Sequence, residues 1–162
     1  MLLHHLQAKD YLKAIGVGIA SSLVLSAIMV TGIKTGVSPM PAPVALAFAE
    51  HLLGRELPLP VGILFHVAWV TFWSVAYVVL FRDRLSFRRA AVLAAVLLVF
   101  ALAVFFPFIG WGFIGLAVGP KVIIGAFVTH ALFAALLWSL CHWAFGTTHE
   151  APGQHPVALR RG

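Results

Sequence analysis

Two histidines stand inside long uncharged stretches, His66 in "PVGILFHVAWVTFWSVAY" and His130 in "FVTHALFAALLWSLCHWAF". An imidazole at such a place can ligate haem iron, hydrogen-bond a quinone oxygen, or tie two helices together. Each role needs a partner, because an unpaired polar group in hydrocarbon is costly. The neighbours extend both histidines into stripes. His66, Trp69, Trp73 and Tyr77 recur at i, i+3, i+7 and i+11, and His130, Ala134, Trp138 and His142 at i, i+4, i+8 and i+12. Each set therefore shares one helix face. A small residue between a histidine and a tryptophan leaves room for a flat ring. The candidate ligand set is His66, His130, Trp69 and Trp138, with haem b or a quinone as the group they would hold. The same stripes also describe plain packing, with aromatic residues near helix ends forming interfacial belts.

Geometry narrows these options. The second and fourth apolar segments run in the same direction, and at about 1.5 Å per residue His66 lies roughly 8 Å, and His130 roughly 14 Å, below the start of its own segment. One haem between them would require the helices to be offset along their axes, and two stacked haems would leave His142 without a counterpart. A structural zinc ion wants about four His or Cys ligands. Glu50, His51 and His66 could approach one another, but their spacing does not demand it. A structural clamp is the other reading, with each imidazole bonded to its fellow, to a carbonyl, or to a hydroxyl such as Thr71 or Thr129 on the helix opposite. Catalysis is not expected: the segments hold no carboxylate pair, and the chain has no HExxH, no Gly-x-Ser-x-Gly and no phosphate loop.

The elements that must position these side chains follow from composition. Of 162 residues, 62% are hydrophobic and 10% charged, and the mean hydropathy is +1.02. Four uncharged stretches, 14–33, 61–81, 90–109 and 122–145, match the roughly 20 apolar residues needed to cross a bilayer. Backbone pairing in lipid makes each a helix. The expected fold is therefore all-α, a polytopic membrane protein of four transmembrane helices in one domain over residues 1–146, with a disordered cytoplasmic tail at 147–162. With the N-terminus inside, Lys9, Lys13, Arg82, Arg84, Arg88, Arg89, Arg160 and Arg161 are cytoplasmic, and Lys34, Arg55 and Lys121 are outside. That eight-to-three asymmetry places both termini in the cytoplasm of a bacterial inner membrane.

The long first connection has prolines at 39, 41 and 43, then Val44, Phe48 and Leu52 at helical spacing before Gly54. This predicts a short periplasmic interfacial helix. The turn "RDRLSFRR" makes the second and third spans an antiparallel hairpin. Its Arg82, Arg84, Arg88 and Arg89 are expected at anionic lipid headgroups, which accounts for the net charge of +6 without nucleic acid. The glycine-rich "FIGWGFIGLAVGPK" reads as an interfacial turn or a partly re-entrant segment. Ala14, Gly18, Ser22 and Ser26, at every fourth position, form a small-residue stripe for close helix packing within the bundle or against another subunit. The single cysteine, Cys141, excludes an internal disulfide and is expected as a reduced thiol filling space.

The chain resembles an uncharacterised family of small bacterial four-helix inner-membrane proteins. The resemblance covers about residues 14–146 and rests on "GIASSLVLSAIM", the amphipathic loop segment, His66, "PFIGWGFIGLAVG" and His130. It implies a four-helix fold and carries no activity, substrate or cofactor with it. Negative chemistry, long apolar faces and little extramembrane mass lead to the expectation of a non-catalytic accessory or scaffold subunit. It would pack against a larger respiratory or photosynthetic assembly, or against itself. The alternative is a small-ligand or redox-cofactor protein built on His66 and His130.

Overall fold

Uncharged runs of this length leave the backbone one economical way to pair its polar groups, and in the computed structural model every regular element among the described residues, 6–146, is helical. The expected tail at 147–162 lies outside those residues, as do Arg160 and Arg161. Helix α1 spans Ala8–Lys34, α2 Val44–Leu53, α3 Leu59–Phe81, α4 Phe87–Phe108 and α5 Lys121–Phe145. All but α2 are long and apolar enough to cross a membrane.

Local sequence explains the boundaries. Pro43 and Pro58 stand at the N-caps of α2 and α3 with extended backbones, and Gly54 ends α2 in the left-handed conformation that glycine adopts without strain. Within α4 the helix widens to a π turn at Ala101–Phe105, where the Phe106 N–H reaches back to the Ala101 carbonyl. Pro107 follows immediately. Its ring clashes with the carbonyl four residues earlier in a regular helix, and widening the preceding turn relieves that clash. The glycine-rich stretch then folds as a compact turn, held by Trp111 N–H to Phe106 O at 2.8 Å and Ala117 N–H to Trp111 O at 3.0 Å.

Around the bundle the order is α3, α1, α5, α4. Ala14, Gly18, Ser22 and Ser26 are all buried inside it, so the stripe serves the chain's own packing. At Gly18 the approach is so close that a Cβ would lie 2.5 Å from the Thr71 Cα of α3. Helix α2 lies against α3 by a second close approach, where a Cβ on Gly62 would lie 2.8 Å from Leu46 Cα. The expected hairpin of α3 and α4 is looser than the short turn implied. The two helices scarcely touch along their length, because Trp69, Phe72, Trp73 and Phe100 keep them apart.

The two ends of the bundle differ. At the end holding the Arg82–Arg84 turn, the Tyr77 hydroxyl donates to Ser86 O at 3.0 Å and accepts from Ser86 N–H at 3.1 Å. Arg82 pairs with buried Asp10 at 3.5 Å, and Lys13 Nζ donates to Ala144 O at 2.8 Å. Lys13 and Arg82 also lie 5.4 and 4.7 Å from the Phe145 ring centre, within cation–π range. This end is laced shut around a core of Ala14, Tyr77, Ala90, Leu137 and Cys141. Toward α2 a second, smaller core forms around Met40, Phe106, Trp111, Val122 and Ala126.

Candidate ligand cavity

Between the two cores lies a cavity of about 600 Å³, within the usual range for a small-molecule site. Helices α1, α3, α4 and α5 supply its walls, and Val44, Ala45 and Phe48 of α2 close over it. Both His66 and His130 line it. The difference in depth counted along the two helices does not keep them apart, because the site is tall enough to take both.

Each imidazole is fixed through Nδ1. The Ser26 hydroxyl of α1 lies 2.8 Å from His66 Nδ1, and the Ala126 carbonyl, one turn earlier on α5, lies 2.8 Å from His130 Nδ1. The clamp partners are thus a hydroxyl on a neighbouring helix and a carbonyl on the same helix. Thr71 and Thr129 do not serve. Thr129 donates to Gly125 O at 2.8 Å, and the Thr71 hydroxyl is buried without a partner. Apart from Ser26, Thr129 and the two histidines the lining is apolar or aromatic, and it includes no Asp, Glu, Lys or Arg.

Trp69 also lines the cavity, stacked on Phe100 with ring centres 6.3 Å apart and planes 16° from parallel. Phe105, the last residue of the π turn, sits 5.2 Å from Trp69 and 5.0 Å from Phe48 of α2. These rings bridge the seam that α3 and α4 leave open. Trp138 does not line this cavity. It faces the other end of the bundle, 5.8 Å from Phe87 and 6.0 Å from His142, because the two further turns that keep it on the His130 face also carry it past the core. Tyr77 likewise leaves the His66 stripe for Ser86.

Comparison with families of known proteins, with characterised proteins and with solved structures finds no match. The reading of the site therefore rests on its own geometry.

Sequence reasoning missed Ser26 as the partner of His66, Phe105 as part of the wall, and α2 as the cover. Pro107 was the available signal for the second. Of the arginines expected at headgroups, Arg84 and Arg88 are exposed, whereas Arg82 turns to Asp10 and Phe145, and Arg89 lies over the Phe81 ring at 5.4 Å. Glu50, His51 and His66 take separate partners: Glu50 accepts from Leu57 N–H at 3.1 Å, His51 meets the edge of Phe108 at 4.6 Å, and His66 meets Ser26. No group of three His, Cys, Asp or Glu able to hold a metal ion occurs among the described residues.

Proposed function

We propose that this is a multi-pass bacterial inner-membrane protein that binds a neutral, bilayer-soluble small molecule between its helices, with His66 and His130 as the polar contacts. The observation that carries this reading is the convergence of both histidines on one apolar cavity. A purely structural pair would need no such space beside it. The absence of charged residues from the lining argues for a neutral ligand, because a buried charge without a partner is strongly disfavoured. Haem fits poorly for the same reason, since its propionates would meet no Lys or Arg there.

Orientation follows from charge. Lys9, Lys13, Arg82, Arg84, Arg88 and Arg89 gather at the laced end and only Lys34, Arg55 and Lys121 at the α2 end. The cavity and α2 accordingly belong to the periplasmic half. The accessory-subunit reading draws on the outward apolar faces, such as Leu12, Ile19 and Leu23 of α1, which lipid would cover equally well. The four-helix family resemblance is compatible with either.

The test is extraction. Protein purified in mild detergent, extracted into organic solvent and analysed by mass spectrometry should release a neutral lipid-soluble compound. A folded double variant, His66→Leu with His130→Leu, should lose it. Equal extracts from both proteins would sink the proposal, and a Soret band in the purified protein would replace the neutral ligand with haem.

A further inference from the structure

Resting on the cavity reading and deepening it, we infer that the ligand is a hydroxyl donor: a neutral alcohol, phenol or quinol whose O–H is accepted by His130 Nε2. The inference comes from the hydrogen-bonding inventory of the cavity. His130 Nδ1 faces the Ala126 carbonyl at 2.8 Å, and a carbonyl can only accept. Nδ1 therefore carries the proton, and in the neutral ring Nε2 presents only a lone pair. The Thr129 hydroxyl has spent its proton on Gly125 O at 2.8 Å, so toward the cavity it too can only accept.

His66 and Ser26 share one proton across their 2.8 Å contact. If the serine donates, His66 Nε2 carries the ring proton and is a donor; if the ring donates, Nε2 is an acceptor and the serine's own O–H is the remaining donor. The Trp73 indole N–H is fully enclosed by protein and has no partner there, so it is not offered to the cavity. The site thus holds at least two acceptors and at most one accessible donor. A quinone or ketone, which only accepts, could use the one donor at the His66–Ser26 pair but would leave the His130 lone pair without a partner. A hydroxyl satisfies that nitrogen, and an O–H beside His66 is served by either tautomer, since a hydroxyl both donates and accepts.

The walls indicate where such a molecule comes from. Phe72 lines the cavity while 60% exposed on the outer surface of the bundle, and Phe100 does so at 40%. These two rings thus reach from the cavity to the outer surface at the α3–α4 seam. A lipid-soluble molecule can therefore arrive sideways, with its apolar body among Phe72, Trp69 and Phe100 and its hydroxyl leading.

Two probe pairs test this on the purified full chain in detergent micelles, by calorimetric titration against micelle blanks: decylhydroquinone with its dimethyl ether, and farnesol with its methyl ether. At least one free hydroxyl compound should bind about tenfold or more tightly than its ether, a loss typical of leaving a buried acceptor unpaired. The preference should vanish in His130→Phe. Binding of the hydroquinone alone assigns an aromatic source, and of farnesol alone an isoprenoid one. An ether that binds as tightly as its parent overturns the hydroxyl inference while leaving the cavity reading intact. If all four compounds fail to bind, both fall. The wild-type comparison stands even if His130→Phe does not fold.

Discussion

Ser26 Oγ on α1 stands 2.8 Å from His66 Nδ1 on α3, joining the small-residue stripe that packs the bundle to the imidazole that lines its cavity. The serine is placed by packing and the histidine by the serine. Ser26→Ala should lower stability by only about 0.6 kcal/mol, the average for such a contact between membrane helices. Ligand affinity should fall several-fold because the ring is freed to rotate. Thermal unfolding in detergent and ligand titration, read together, check the split; a large stability loss with unchanged affinity would make the contact structural only.

Gly18 and Thr71 meet where the α1 and α3 backbones come closest, and substitutions on the two sides should act in opposite directions. Gly18→Ala puts a Cβ 2.5 Å from Thr71 Cα, which forces α1 and α3 apart. The expected loss is about 1–3 kcal/mol, the usual range for overpacking, seen as a lower unfolding temperature.

Thr71→Val keeps the shape and removes a buried hydroxyl that has no partner. Unfolding in detergent should show a gain of about 1 kcal/mol. An equal loss instead would mean that the hydroxyl has a partner, such as an ordered water.

Tyr77→Phe removes both hydrogen bonds to Ser86, the donor at 3.0 Å and the acceptor at 3.1 Å. A destabilisation of about 1–3 kcal/mol is expected, together with faster proteolysis at the Arg82–Arg84 turn. Binding at the distant cavity should be unchanged in the protein that remains folded.

Trp69→Ala takes away the ring stacked on Phe100 and opens the α3–α4 seam. Ligand association and dissociation should both accelerate, with the equilibrium constant moving less than either rate. Stopped-flow measurement of the tightest hydroxyl probe provides the check. Slower exchange, or a loss of affinity with no change in association rate, would place Trp69 as a contact and not as a gate.

Much of the fold was legible because its cause is local. Span lengths, the proline-bounded α2 and the buried face of α1 follow from stretches of sequence whose apolar character and small-residue spacing admit few alternatives. The histidines were legible as candidates for the same reason, since a polar side chain in such a stretch must find a partner. Trp138 stands by Phe87 and His142, away from the cavity, because helical spacing reports a face and says little about what faces it at a given depth.

What the sequence determined by itself was therefore the set of helices, their apolar character and the two imidazoles that need company. Tertiary structure alone decided that Ser26 and Ala126 are that company, that α3 and α4 stay apart, and that α2 covers the gap. The physical reason is that these outcomes depend on which helices approach closely. Gly18 lets the α1 backbone close on α3 at Thr71 and Gly62 lets α2 close on α3 at Leu46, while Trp69, Trp73 and Phe100 stand between α3 and α4, and the cavity is the space these packings leave.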